Sequence, residues 1–373
     1  TDWTSAKNCS RDGRLDWADI QRLVVRSVCR DGEVLVRMVR GSEFQIAIYD
    51  ADFLDYALNR EASKESNAIV QGIELDRAGK PVAYYLWKMP PNKVPSIFGM
   101  PTRSPNINQY ERVVAEDIIH IYKSDRPNQI RGATWLAPVM IHLLMLGRYE
   151  KAELQAAQLA ASKVGYYKTP TGDYLDDQEN AEGYGLPSSI SGVGFTELPQ
   201  GVELQMLDPS HPVSAYSQFV SGVLKGVATG LNVTYHALSS DLSSVNFSSI
   251  RAGTIEERDN WKRWQQFYIS HLMRPIFSAW LEFNQGRLGV NAEQTVATFV
   301  PRGWTWVDPV KDLLAHKMAY ELGVSSLSSI AASQGKDLEE VFDSRQKESE
   351  LMAEYGLVFG PVEPMMESDD GTN

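Results

Sequence analysis

"DWADIQRLVVRSVCRDGEVLVRMVR" (Asp16–Arg40) holds two different hydrophobic periods side by side. Over residues 16–30 the apolar Ile20, Leu23, Val24 and Val28 fall at helical spacing. The spacing predicts a helix there, and it gathers Arg22, Arg26 and Arg30, at i, i+4 and i+8, into one basic stripe. "EVLVRMVR" is instead a short run of β type, and others follow it: "FQIAI", "NAIVQGIEL" and "PVAYYLW". "DRAGK" between the last two is a hairpin turn, and "DIIHIY" (Asp117–Tyr122) is a closing strand. Five prolines in "MPPNKVPSIFGMPTRSP" (Met89–Pro105) make that segment an irregular loop. A β-rich module over residues 31–122 is therefore inserted between helical segments.

Beyond Gln129 the pattern turns helical again. Thr134 is the expected cap of a helix of roughly 30 residues, about 45 Å long, whose first turn tolerates Pro138. His142, in its apolar stretch, reads as a core histidine. Residues 166–212 are mixed strand and loop, and 213–229 a helix. A serine-rich loop comes next, six serines within Ser239–Ser249, interrupted by Leu242, Val245 and Phe247. A long helix over 248–284 follows, with a bend at Pro275. The C-terminal helices run over 309–322, ended by Gly323, over 326–334, and over 337–355 between Asp337 and Gly356. The tail "EPMMESDDGTN" reads as disordered. The fold class is α+β.

The 373 residues carry 36 Lys and Arg against 48 Asp and Glu, a net charge of −12. A tight nucleic-acid binder has the opposite balance, because affinity rests on phosphate neutralisation. Hydrophobic residues make up 43%, enough for a substantial core. Two cysteines, Cys9 and Cys29, exclude a disulfide framework and a Cys-rich zinc site. No apolar run approaches the ~20 residues of a membrane span.

The search for chemistry yields no catalytic residue, no metal site and no cofactor. The six histidines are scattered, without HExxH or HxH spacing. There is no GxSxG elbow and no Walker A loop. Asp176–Asp177 and Glu256–Glu257 are carboxylate pairs of the kind that solvation explains better than glycoside hydrolysis. Trp261, Trp264 and Tyr268 recur at helical spacing and read as packing. The arginine stripe leaves two readings open, a solvated or salt-bridging face and a phosphate-facing one.

"GIELDRAGKPVAYYLW", "AEDIIHIYKSDRPNQIRGATWLAPVM", "GLNVTYHALSSDLSSVNFSSIRAG" and "WTWVDPVKDLLAHKMAYELGVSSLSSIAASQGKDLEEV" together resemble the lambda-type bacteriophage portal (head–tail connector) family. The resemblance covers most of residues 1–360. It implies the phage portal fold, with a wing, a long-helix stem, a β-rich clip and a helical crown, assembled as a ring. On that pattern residues 1–15 are a wing remnant, 16–30 a stem helix, 31–122 the clip and 123–165 the second stem helix. Residues 166–238 belong to the wing, 239–249 to the tunnel loop, 250–304 to the long helix and wing, 305–357 to the crown and 358–373 to the tail. The chain does not begin with Met, and further N-terminal residues are expected in the complete protein.

The resemblance also implies partners: about twelve copies of the chain itself, double-stranded DNA passing through, the terminase large subunit, the head–tail connector or adaptor, and the major capsid protein. No membrane and no enzyme activity are implied. The place implied is the portal vertex of the virion capsid, assembled in the host cytoplasm. In the tunnel loop, Ser239, Ser240, Asp241, Ser243, Ser244, Asn246 and Ser248 are the candidate DNA-channel residues. Hydroxyls and an amide contact phosphates without fixed charge, and Asp241 adds repulsion. The stem's basic candidates are Arg22, Arg26, Arg30, Lys151 and Lys163. The competing functions are an acidic carbohydrate-active hydrolase and another minor capsid adaptor.

Overall fold

The computed structural model describes residues 2–88, 109–161, 165–168, 203–206, 213–243, 246–304 and 308–357. Helix α1 is the short Ala6–Cys9. Helix α2 (Trp17–Asp31) forms where the 3.6-residue period ran. Ile20, Val24 and Val28 line its buried side, while Arg22, Arg26 and Arg30 are exposed. Gly32, at φ +91°, turns the chain out of the helix. Strand β1 (Glu33–Arg40) begins at the next residue.

Contacts divide the chain into two units, one of Thr1–Ile20, Leu35–Ile121 and Asn246–Asn373, the other of Gln21–Val34 and Tyr122–Val245. In the first unit β1 pairs antiparallel with β2 (Phe44–Tyr49). The apparent single run "NAIVQGIEL" is two strands, β3 (Ala68–Val70) and β4 (Ile73–Leu75). Gln71 and Gly72, at φ 50° and 82°, form the two-residue turn between them. "DRAGK" forms the next turn as expected, with Asp76 Oδ1 accepting from the backbone N–H groups of Ala78 (2.9 Å) and Lys80 (2.8 Å). It leads into β5 (Pro81–Trp87), which pairs with β6 (Tyr110–Val114), a strand the sequence pattern did not single out. Strand β7 (Ile118–Tyr122) joins β1, giving sheets ordered β2-β1-β7 and β3-β4-β5-β6. The loop Met89–Pro105 lies outside the described residues.

Alternation along β5 builds the core. Tyr84 and Leu86 pack with Leu35, Leu54, Ile73, Val113 and Ile118, while Tyr85 and Trp87 pack with Ile69 and Tyr110. Tyr110 also donates its hydroxyl to buried Asp55 at 2.6 Å. Near the N-terminus the Trp3 ring lies 5.6 to 6.2 Å from those of Trp17, Phe44 and Trp280.

The same unit contains the long C-terminal helices. Helix α6 (Phe247–Tyr268) passes through one π turn, Ile269–Met273, into α7 (Arg274–Leu288). The π turn stands just before Pro275, which has no N–H to continue a regular ladder. Helices α8 (Pro309–Glu321), α9 (Leu327–Ser333) and α10 (Leu338–Glu354) follow, with Asp337 as the expected cap of α10. Arg251 of α6 reaches Asp308 (3.6 Å) and Asp312 (3.0 Å) at the start of α8. The tail from residue 358 lies outside the described residues.

In the second unit, α3 (Met140–Ala161) starts later than Thr134. Thr134–Val139 instead forms tight turns with i→i+3 bonds, Ala137 N–H to Thr134 O and Val139 N–H to Leu136 O. Pro138 has no N–H for the i→i−4 bond that an earlier start requires. His142 is exposed, not a core histidine, because the buried positions there are Val139, just before α3, and Leu146. Gly165–Lys168 and Glu203–Met206 pair as strands β8 and β9. Helix α4 (Val213–Leu231) packs on α3 through Tyr149, whose ring is 5.8 Å from Tyr216 and 4.7 Å from Phe219. Among the described residues no helix is long and apolar enough to cross a membrane.

One contact in this unit joins segments 98 and 99 residues apart in sequence. Buried Glu33 accepts from Arg131 Nε at 2.6 Å and from the Gly132 N–H at 2.8 Å. A Cβ on Gly32 would overlap the Ala133 and Thr134 backbone, and one on Gly132 would overlap Gly32. Truncating one partner strands a charge away from water, a loss of about 3–5 kcal/mol. Glu33→Ala is therefore expected to lower the urea unfolding midpoint strongly, and an unchanged midpoint refutes this role for the pair.

Candidate functional site

The arginine stripe is present on one exposed side of α2. Arg30 is held by Asp31 of the same helix, through Nε at 2.8 Å and Nη2 at 2.7 Å. Arg26 makes no ion pair among the described residues. Lys151 of α3 is exposed. Lys163 lies outside the described residues.

The described residues of the serine-rich run are more ordered than its composition suggests. Its first half, in the second unit, ends α5 (Tyr235–Ser239). Ser239 Oγ donates back to the Tyr235 carbonyl at 2.8 Å, as serines in helices commonly do. Ser240 closes the helix in the left-handed region, at φ 57°. Asp241 Oδ1 accepts from both N–H and Oγ of Ser243, at 2.9 and 2.6 Å. These bonds, with that from Tyr235, hold the Asp241 carboxyl below its ordinary pKa. Ser244 and Val245 lie outside the described residues.

The second half, in the first unit, starts α6. Asn246 Oδ1 accepts from the Ser249 N–H at 2.9 Å, and the Asn246 N–H donates to Ser249 Oγ at 3.1 Å. That reciprocal pair is a capping box, and it satisfies two helix-end groups. Of the described candidates, only Ser240 and Ser248 have no side-chain hydrogen bond among the described residues.

The residues examined for chemistry do not assemble into a reactive set. No group of three His, Cys, Asp or Glu side chains able to hold a metal occurs among the described residues. Glu257 accepts from the Trp261 indole at 3.1 Å, and Trp264 stacks on Tyr268 at 6.1 Å, both packing roles. His271 lies against Phe267 at 4.3 Å, and His120 meets the Tyr84 ring edge-on at 5.6 Å. Asp176–Asp177 lies outside the described residues.

A polar cleft that no motif announced lies on the four-stranded sheet. It has a volume of 340 Å³, and Arg60, Lys64, Arg77 and Arg112 are among its lining cations. In its wall Glu74 accepts from Arg112 Nε (2.7 Å), Asn67 Nδ2 (2.9 Å) and Tyr85 OH (3.3 Å). Because Arg112 comes from β6 and Asn67 from the loop before β3, only strand pairing brings them together.

The helices leave much apolar surface uncovered in a single chain. Met140, Ile141, Leu144 and Met145 of α3 are 55 to 67% exposed. Val310, Leu314 and Met318 of α8 are exposed as well, and α8, α9 and α10 contain no buried residue. A helix apolar on all sides in its first turns is normally enclosed.

Glu74 gives the cleft an acid-dependent wall. Arg112, first, and then Asn67 and Tyr85 lower its pKa to about 2. A depressed carboxylate pKa contributes stability above its unfolded value and loses it as pH falls toward the folded one. The β insert is expected to lose about 2–3 kcal/mol as pH drops from about 4.5 to 2, the half-exposed Arg112 being partly screened. Glu74→Gln removes that part of the slope in acid unfolding; an identical slope refutes it.

Comparison with known proteins gives a consistent family. A model described as phage portal protein, lambda family, matches residues 1–265. Over 398 aligned positions the chain is 31% identical to the probable portal protein of Halomonas phage phiHAP-1, the whole chain covering 75% of that protein. It is 23% identical to the portal protein of Escherichia phage N15 and 22% identical to portal protein B of Escherichia phage lambda, using 64% of the chain. The chain spans about half, 51%, of the length of these last two relatives. A solved structure of the neck of a native gene transfer agent particle, computed with C12 symmetry, contains a similar chain. That likeness has a TM-score of 0.43 and 13% identity, over 89% of this chain and 82% of the other.

Proposed function

The chain belongs to the lambda family of phage portal proteins, and we propose that it forms the portal of its particle, a ring of about twelve copies at one capsid vertex. Double-stranded DNA enters through the axial channel during packaging and leaves through it during ejection. Residues 16–30 and 123–165 contribute the stem, 31–122 the clip, 239–249 the channel loop and 305–357 the crown, with 1–15, 166–238 and 250–304 in the wing. The clip docks the terminase large subunit and later the head–tail connector, and the wing meets the major capsid protein. The protein works as a conduit in the virion, without a catalytic residue or a cofactor.

The observation that carries this reading, beside the family, is the uncovered apolar surface of α3 and of α8–α10. A ring supplies the missing cover, since each copy presents the same faces to its neighbours. The charge fits a passage rather than a grip. With 36 basic against 48 acidic residues, the chain lacks the phosphate neutralisation that would hold DNA tightly. Local cations still matter, because every exposed arginine is repeated around the ring. Arg26 and Lys151 are the members of the stem set best placed to face the channel, since Arg30 is engaged by Asp31.

Negative-stain imaging of the purified chain is expected to show rings with a central hole, and discrete monomers refute the reading. Met140→Glu with Ile141→Glu places charge on the uncovered face and is expected to reduce ring formation at least tenfold, measured by analytical ultracentrifugation. In a packaging reaction, bulky apolar residues in place of Ser243, Ser244 and Asn246 are expected to spare the ring but lower packaged DNA. Normal packaging in that variant removes the channel-loop assignment.

A further inference from the structure

Within the second unit, α4, α5 and the turn after them are linked by one chain of side-chain contacts. Lys225 Nζ of α4 lies over the Tyr235 ring, 5.5 Å from its centroid. The Tyr235 hydroxyl donates to Asp241 Oδ2 at 3.3 Å. Asp241 Oδ1 takes both hydrogen bonds from Ser243, and the Asp241 N–H donates to Ser239 Oγ at 3.2 Å. In the middle stands Ser240, a non-glycine residue at φ 57°. Such a backbone is unfavourable for an L-residue and persists where its surroundings impose it.

The geometry points to Asp241 as a positioning residue of this loop, not a group that meets DNA: with Tyr235 and Lys225 it forms a latch fixing the course of residues 239–243. The channel role of that loop rests on the portal reading above; the latch itself does not. Both carboxylate oxygens are used, Oδ1 by Ser243 of the loop and Oδ2 by Tyr235 of α5, so the charge of Asp241 is spent on these two partners. The order of the loop then depends on a contact with α4, through Lys225, rather than on the serines alone. A loop held this way keeps one shape while a polyanion slides past it. Its remaining exposed hydroxyl, on Ser240, stays available for brief contacts.

Three single variants in the full chain test the latch. Asp241→Ala removes every acceptor, Tyr235→Phe removes one donor without changing charge, and Asp241→Asn keeps an oxygen for Ser243. Assembled rings are treated with thermolysin, and cleavage between residues 240 and 246 is followed by fragment mass. Losing a charged acceptor is expected to raise the cleavage rate about tenfold, and losing the single tyrosine bond about threefold. Asp241→Asn is expected to stay nearer the parent than Asp241→Ala does. Parental cleavage in both Asp241→Ala and Tyr235→Phe overturns the latch, as does an Asp241→Asn rate equal to that of Asp241→Ala. DNA content of filled particles is read in parallel. A loop that opens while packaging stays normal upholds the latch and removes the channel role.

Discussion

The contact of Glu33 with Arg131 and the Gly132 N–H ties together distant stretches of the second unit. It joins points 98 and 99 residues apart in sequence, on either side of the β module. Closing so long a loop costs conformational entropy, which grows only slowly with its length. The contact meets that cost with a buried carboxylate whose oxygens are matched by a guanidinium and an amide. Two glycines make the match possible, because Gly32 and Gly132 bring main chain against main chain where no Cβ fits. Neighbouring groups reinforce it. Gln129 Nε2 donates to the Arg131 carbonyl at 2.8 Å, and the Tyr122 hydroxyl donates to the Gln129 carbonyl at 2.7 Å. Burial and the charge of Glu33 raise the Tyr122 pKa, so that hydroxyl stays a donor. The pairing of β1 with β7 already holds the two ends of the β module side by side, and this closure adds to it.

Much of this was legible in the residues, and the parts that were not share a cause. The strands "EVLVRMVR" and "PVAYYLW" match β1 and β5 residue for residue. Their apolar runs belong to strands buried on both faces, which read as continuous hydrophobic segments. Helix ends at Gly323, Asp337 and Gly356 were equally visible, because caps and left-handed terminators are local chemistry. The hairpin inside "NAIVQGIEL" was hidden, since Gln at a positive φ is uncommon and only the pairing of Val70 with Ile73 makes it necessary. Strand β6 was hidden because Glu111 and Arg112 are polar and half of it faces solvent. Its place is fixed by β5, not by its own pattern.

The site residues divide along the same line. The arginine stripe needed only a helical period, and the structure shows it on an exposed side of α2. The serine loop needed knowledge of partners. Six serines suggest a hydroxyl fringe, yet Ser239, Ser243 and Ser249 are used by the loop itself and by the start of α6. Short polar side chains beside helix ends bond first to the nearest backbone, because those groups are already at the right distance. Tyr235 and Lys225, which bear on the loop, lie outside the serine run and carry no motif. They become visible only when α4 and α5 are placed.

The uncovered apolar surface gives the structure its functional direction. For a monomer, α8–α10 would be poor helices, since packing rather than propensity supplies most helical stability. Their boundaries are nonetheless sharply set by caps at Asp308, Ser326 and Asp337. Local signals thus specify helices whose burial a single chain does not provide. Faces of that kind are consistent in sequence and incomplete in isolation, which suits the ring proposed above. In the proposed ring each interface is repeated by symmetry, so a modest apolar contact per copy is multiplied around the assembly. In the proposed portal, the acidic balance of 48 to 36 limits attraction for DNA.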